Sequence, residues 1–179
     1  MSNSTDAAHG LVHTTGVVEN TLKIARAYPE VDSDLLELCA YWHDVGRLYN
    51  PIHEELSARL LINNLKEAGI KDIQEKVFQA IAFHKWNMNP KTIEGEIIRD
   101  ADKLDFLSIE RWETALQAGT TEHLKDIAVL LPRLRGEILH LPESKILYDS
   151  LLPPFIDFTY EKQLSRYFDF KLPSREEHS

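Results

Sequence analysis

Apolar residues along this 179-residue chain recur at intervals of three and four, the spacing of helices that bury one face. No stretch alternates strictly between apolar and polar residues, as a half-buried strand would, and the seven glycines offer few hairpin turns. The pattern therefore predicts an all-α protein.

Prolines, glycines and good N-cap residues separate the predicted helices. Seven helices are expected, over residues 8–27, 32–47, 52–68, 73–84 and 92–118, from 121 to a kink or end at Pro132, and from Pro142 to Phe170 with a break at Pro153 and Pro154. The polar tail from Ser174 to Ser179 is expected to fray.

The length suits one domain with a substantial core. We expect a helical core over residues 1–120 and a helical extension over 121–179 that packs on it. The extension is rich in aromatic residues, and these should pack on the core, over a pocket mouth or, as the second alternative, against another copy in a homodimer. They include Phe155, Phe158, Tyr160, Tyr167, Phe168 and Phe170.

Charge and cysteine content exclude several classes of function. The net charge of −9 provides no basic surface of the kind that binds nucleic acid. The single cysteine, Cys39, excludes an internal disulfide and a zinc finger. The N-terminus lacks the pattern of a signal peptide, and the longest aliphatic run, 127–131, is too short to span a membrane. A cytoplasmic protein without a membrane or nucleic-acid partner is therefore expected.

Candidate chemistry centres on the adjacent pair His43 and Asp44, which offers an imidazole nitrogen and a carboxylate from one point of the backbone. Four further candidates lie on predicted inward-facing stripes: His13, His53, His84 and Asp102. Taken singly, a buried aspartate more often pairs with Arg or Lys than with a metal. A single core histidine is more often a packing residue with hydrogen-bonded ring nitrogens than a metal ligand. Six such residues together indicate a metal site with nitrogen and oxygen ligands. The other histidines receive no role: His9, His123, His140 and His178.

The order His, His-Asp, Asp on a helical chain resembles the HD superfamily of metal-dependent phosphohydrolases, in particular its small bacterial stand-alone members. The resemblance covers about residues 9–118. It rests on the segments His13–Ala25, Leu38–Arg47, His53–Ala58, Ala80–His84 and Pro90–Asp105. It implies an HD-type helical bundle.

The resemblance also implies ligands. The four metal-ligand positions of the family fall on His13, His43, Asp44 and Asp102. His53 and His84 fall on positions that hold a second metal in dinuclear members, with Asp44 as the bridge. Two positions depart from the pattern. Gly16 stands where relatives often carry Arg, and Arg47 replaces Lys, which keeps the positive charge in a different geometry.

The implied reaction is hydrolysis of a phosphoester or phosphoanhydride by a metal-activated hydroxide. Asp44, Arg47 and Lys103 are the expected catalytic residues. The two basic side chains would neutralise phosphoryl oxygens; a solvated surface charge or an ion pair is the alternative for each. Asp105 is expected to orient a ligand histidine.

Two further side chains, Glu54 and Trp86, each allow two interpretations. Glu54 is either a proton-transfer group or a surface glutamate. Trp86 either stacks on a nucleotide base or serves packing alone.

The expected cofactor is one or two divalent ions, with Mn, Fe, Co, Ni, Mg and Zn all compatible. The expected partner is a small phosphorylated substrate, a nucleotide. Two alternatives stay open: a dinucleoside polyphosphate hydrolase, and a regulatory module that binds nucleotide and metal without turnover.

Overall fold

The computed structural model describes residues 10–169 and residue 172. Within them the chain forms eight α-helices: α1 (Leu11–Ala25), α2 (Ser33–Trp42), α3 (Glu54–Glu67), α4 (Gln74–Ile81), α5 (Ile93–Leu104), α6 (Ile109–Ala118), α7 (Glu122–Leu130) and α8 (Pro142–Glu161). Short 3-10 turns occupy Val45–Leu48, Asp105–Leu107, Leu131–Arg133 and Leu164–Arg166, and a π turn occupies Leu134–Ile138. The described residues contain no strand, so the all-α prediction is confirmed.

Several helix ends follow from local chemistry. The side chain of Asp32 accepts the Leu35 N–H at 3.0 Å and so caps the start of α2. Gly69 and Gly119 follow α3 and α6 with φ of 84° and 71°, a left-handed conformation that favours glycine. The predicted start at residue 8 and the predicted frayed tail lie outside the described residues.

The predicted single helix over 92–118 is wrong, because the chain breaks between α5 and α6. Residues Asp105–Leu107 tighten into a 3-10 turn, and Ser108 is extended, with φ of −71° and ψ of 107°. The Ser108 hydroxyl accepts the Arg111 N–H at 3.3 Å and starts a new helix. The Trp112 indole N–H donates to the Phe106 carbonyl across the break at 2.9 Å.

The predicted break at Pro153 and Pro154 is also wrong, since α8 runs through both prolines. Both proline rings are exposed, whereas Leu152 and Phe155 beside them are buried. Burial on either side of the pair therefore keeps the helix continuous despite the missing N–H donors.

The second helix ends at Trp42 and not at Arg47 as predicted. The chain then turns tightly enough for the Gly46 N–H to donate to Ser57 Oγ at 2.9 Å. A Cβ at Gly46 would lie 2.8 Å from the His53 carbonyl oxygen, so only glycine permits this approach. The turn brings the end of α2 against the start of α3.

The core lies where α1 packs on α2 and α5, and where α4 packs on α3 and α5. Helix α8 packs on α5. The described residues include no helix long and apolar enough to cross a membrane.

The C-terminal part is joined to the core by aromatic and polar contacts. The Trp112 ring packs edge-on against Phe155 and Phe168, with centroids 5.6 and 5.3 Å away. The buried carboxylate of Asp100 accepts the Leu141 N–H at 2.8 Å, just before α8. The predicted packing of aromatics on the core is therefore observed, although Tyr160 and Tyr167 are exposed and Phe170 lies outside the described residues. The domain division at residue 120 stays a prediction.

Candidate metal centre

The six candidate ligands come mostly from helix ends. His13 lies on α1 and Asp102 on α5. The others lie at helix ends or just beyond them: His43 is the C-cap of α2, Asp44 follows it, His53 is the N-cap of α3, and His84 comes two residues after the C-cap of α4. Helices α1 to α5 therefore all contribute to one point.

Three of the histidine rings are fixed by the backbone. Each Nδ1 donates to a carbonyl two or three residues upstream: His43 to Ala40 at 2.7 Å, His53 to Pro51 at 3.0 Å, and His84 to Ile81 at 2.7 Å. A carbonyl can only accept, so Nδ1 must carry a hydrogen. In the neutral ring the lone pair is then on Nε2, which faces the cluster.

His13 is fixed in the same sense by a carboxylate. Its Nδ1 donates to Asp105 Oδ2 at 2.7 Å, and Arg111 Nη1 donates to the same oxygen at 2.9 Å. All three side chains are 1% exposed. Asp105 thus lies directly behind a histidine of the cluster, and its role in orienting that histidine stays a prediction.

The inward-facing atoms form two triads that share Asp44. One consists of His13, His43 and Asp44, the other of Asp44, His53 and His84, and in each the candidate ligand atoms lie within 4.8 Å of one another. The His13 and His43 Nε2 atoms are 3.2 Å apart.

Asp102 adds a second carboxylate beside the first triad. Its Oδ1 lies 3.5 Å from His13 Nε2 and 4.0 Å from His43 Nε2. The structure therefore brings all six predicted ligand residues together.

Electrostatics favour ionised carboxylates in the cluster. Burial alone would raise the pKa of the Asp44 carboxyl, but the neighbouring imidazoles, His43 first, hold that pKa well below its ordinary value. Burial likewise opposes ionisation of Asp102, and the adjacent Lys103 ammonium, followed by His43, lowers the pKa of this carboxyl below its ordinary value.

The imidazoles differ in how readily they take a proton. Burial lowers the pKa of His43 to about 4. Burial also opposes protonation of His13 and His53, but the hydrogen bonds that His13 donates to Asp105 and His53 donates to Asp44 raise the pKa of each ring above its ordinary value. When no cation is bound, these two rings therefore take up a proton more readily than a free imidazole does.

The two positively charged residues that were predicted to be catalytic, Arg47 and Lys103, are paired with these carboxylates. Arg47 Nε donates to Asp44 Oδ2 at 3.1 Å, and Lys103 Nζ contacts Asp102 Oδ2. The Arg47 side chain is 37% exposed, whereas Lys103 is buried. The ion-pair alternative is therefore observed for both, at the edge of the cluster.

A cavity of about 280 Å³ opens on the cluster. It is lined by His13, Asp44, Arg47, Pro51, His53, Glu54, His84, Lys85, Trp86, Asp102, Lys103, Phe106, Arg111, His123, Asp126 and Leu130. His43 lies behind this surface, and the aromatic residues of α8 do not line it.

The cavity corrects several interpretations. His123, for which no role was predicted, lines the cavity, and its Nε2 contacts Arg111 Nη2 at 2.9 Å. Glu54 is buried, so the surface interpretation is wrong. Trp86 lines the cavity and also lies beneath the Arg133 guanidinium, 5.5 Å from the ring centroid.

Sequence reasoning missed the cavity residues that lie on α6 and α7: Arg111, His123, Asp126 and Leu130. The Ser108 cap and the spacing of three and four along α7 were the available signals. His140, also without a predicted role, binds Glu96 at 2.8 Å away from the cavity.

The donor set fits a divalent cation. Imidazole nitrogens and carboxylate oxygens suit Mn, Fe, Co, Ni and Zn. Two unprotonated Nε2 lone pairs 3.2 Å apart repel each other unless a proton or a cation lies between them. Each triad offers three ligand atoms to a metal ion.

Comparison with known proteins bears on the whole arrangement. A family model described as the HD domain matches residues 10–107, more than half of the chain. Comparisons with curated proteins and with solved structures found no match. The matched range includes all six candidate ligands and ends before α6. The chain therefore belongs to the HD domain family, the family of metal-dependent phosphohydrolases that its motif order resembles.

Proposed function

We propose that this protein is a metal-dependent phosphohydrolase that cleaves a phosphoester or phosphoanhydride of a small nucleotide. The observation that carries the proposal is the pair of His/Asp triads sharing Asp44 at the base of a cavity lined by basic side chains. All six candidate ligands also fall within residues 10–107, the range that the HD domain family model matches.

We infer that His13, His43, Asp44 and Asp102 hold one divalent ion, and that His53 and His84 with Asp44 hold a second. Asp44 suits a position shared by two ions because its carboxylate lies against rings of both triads, with Oδ1 also 3.8 Å from His43 Nε2. Oδ1 lies 2.6 Å from His53 Nε2, whereas Oδ2 lies 3.6 Å from His13 Nε2. When bound, such ions polarise a phosphoryl oxygen and lower the pKa of a coordinated water.

The roles of the surrounding residues follow from their positions. Arg47 and Lys103 line the cavity beside the cluster and are placed to donate to the phosphoryl oxygens of a substrate. Asp105 holds His13 with Nε2 towards the cluster.

Glu54 is a candidate proton acceptor. Burial raises the pKa of this carboxyl, but its own backbone N–H and the nearby His53 lower the pKa below its ordinary value overall. The group is therefore ionised at neutral pH and lines the cavity next to the cluster.

The size of the cavity limits the size of the substrate that it can hold. Small-molecule sites usually enclose roughly 300–1,000 Å³, and this cavity of about 280 Å³ lies at the lower end. A mononucleotide is a better match than a dinucleoside polyphosphate.

The test uses protein purified without chelator and supplied with Mn²⁺ or Fe²⁺. The wild type should hydrolyse a generic aryl phosphate and carry two bound metal ions per chain. Asp44→Ala should lose both properties, because it removes the residue that the two triads share. Asp34→Ala is the matched control, an exposed aspartate in the first turn of α2. Hydrolysis that survives in Asp44→Ala would contradict the proposal.

A further inference from the structure

One wall of the cavity is made by residues beyond the HD match at 10–107. Arg111 comes from α6, and His123, Asp126 and Leu130 come from α7. The α7 residues are spaced by three and four and so lie on one helix face. We call these three residues the α7 wall.

The α7 wall is connected to the metal centre through a buried guanidinium. Arg111, which is 1% exposed, donates from Nη1 to Asp105 and from Nη2 to His123 Nε2. An arginine can only donate, so His123 accepts at Nε2 and is neutral, with its hydrogen on Nδ1. A chain of contacts thus runs from His13 through Asp105 and Arg111 to the α7 wall.

The charge of the α7 wall differs from that of the residues beside the cluster. The basic residues Arg47 and Lys103 lie beside the cluster, where a phosphoryl group would bind. The α7 wall instead carries the Asp126 carboxylate. A carboxylate repels a second phosphate and accepts hydrogen bonds from hydroxyl groups.

The apolar part of the same wall limits what the hydroxyl groups can be attached to. Leu130 lies on the α7 face with Asp126, and Trp86 and Phe106 line the cavity nearby. A cavity of about 280 Å³ holds one small ligand with a compact carbon skeleton.

We propose that the α7 wall recognises the hydroxyl-bearing part of a phosphorylated sugar or nucleoside, with Asp126 accepting hydrogen bonds from its hydroxyl groups. The proposal rests on the proposed function for the phosphate end of the ligand. It makes Asp126 a specificity-determining residue and gives the chain beyond residue 107 a direct part in substrate choice.

The test measures binding of ligands that cannot be hydrolysed, by calorimetry on the Mn²⁺-loaded full chain. The probes are phosphonates in which a methylene group replaces the bridging oxygen of ribose 5-phosphate, of adenosine 5′-monophosphate and of phenyl phosphate. Asp126→Asn should weaken binding of the two hydroxyl-bearing probes about tenfold and leave the phenyl probe within about twofold.

Glu122→Gln is the matched control, since Glu122 lies on the same helix, is exposed and pairs with Lys125 at 2.7 Å away from the cavity. It should leave all three affinities unchanged. The two hydroxyl-bearing probes differ at the anomeric carbon, which carries a hydroxyl group in the ribose probe and adenine in the other. The one that binds the wild type more tightly identifies the class of ligand that the α7 wall accepts.

Two failures are distinguishable. If Asp126→Asn alters all three affinities equally or alters none, the α7 wall has no such role, while the proposed function stands. If no phosphonate binds the metal-loaded wild type, both the proposed function and this inference are overturned.

Discussion

Gly16 shows how one residue sets the geometry of the metal centre. A Cβ at this position would lie 2.1 Å from Asp105 Oδ1, an overlap that only glycine avoids. Here Arg111, from α6, supplies the guanidinium that contacts Asp105.

We predict that Gly16→Ala will displace Asp105 and release the His13 ring. Metal affinity should fall about 10- to 100-fold, the usual effect of losing a group that orients a ligand, and this can be measured by calorimetry with Mn²⁺. The unfolding temperature should fall as well, although alanine otherwise favours a helix.

Gly136→Ala is the control for this change, because a Cβ at Gly136 meets nothing within 4 Å. It should leave metal affinity unaltered. Equal affinities for Gly16→Ala and the wild type would mean that Asp105 does not orient His13.

At the level of single residues, the sequence was informative because the ligand types are distinctive. His43 and Asp44 are adjacent, and the spacing of the others matches a known family order. The carbonyls that hold the rings could not be predicted, since the bonds to Ala40 and Ile81 depend on where α2 and α4 end.

At the scale of elements, periodicity predicted the helices and misplaced some of their ends. The stripe that contains Asp102 and Asp105 also fits one continuous helix, so it concealed the turn at Ser108. The two prolines of α8 led to the opposite error, a predicted break where the helix is continuous. Burial of Leu152 and Phe155 outweighs the tendency of proline to end a helix.

The Ser108 cap allows a test at this scale. Ser108→Ala removes the acceptor for the Arg111 N–H and should lower the free energy of unfolding by about 1 kcal/mol, as measured by urea denaturation. Arg111 links Asp105 to His123 in the cavity wall, so substrate affinity should fall too.

Ser33→Ala is the comparison, since Ser33 is an exposed residue at the start of α2, where Asp32 provides the cap. It should change stability by less than about 0.5 kcal/mol. A Ser108→Ala protein as stable as Ser33→Ala would show that the break is held by the Trp112 contact instead.

For the molecule as a whole, protons and metal compete for the same atoms. In the metal-free protein the pKa values of His13 and His53 are raised, after burial is offset by their carboxylate partners. Their protonation stabilises the fold below the unfolded pKa near 6.5, and this contribution is lost as pH rises through the raised values.

We predict that the metal-free protein becomes less stable as pH rises above about 6.5 and through the raised pKa values of His13 and His53, while apparent metal affinity increases. Differential scanning calorimetry follows the first effect. Titration in buffers of different ionisation enthalpy follows the second, because binding should release protons. His140→Gln, remote from the cluster, should keep both trends, and metal binding without proton release would contradict this account.

The cavity wall beyond α5 was the part that the sequence could not predict. Arg111, His123 and Asp126 are ordinary polar residues in a segment without a motif. Their importance arises from the placement of α6 and α7 against the core, which is a property of tertiary packing.

The hydrogen bonds from the His43, His53 and His84 rings to backbone carbonyls have a consequence for the thermodynamics of metal uptake. Each ring loses its rotational freedom when the helix ends form, so little side-chain entropy remains to be lost on binding. The entropy cost of ordering the rings is therefore part of the free energy of folding and not of metal binding. Ion exchange at this centre should consequently proceed with small structural change, governed by charge and ligand preference and not by rearrangement of the rings.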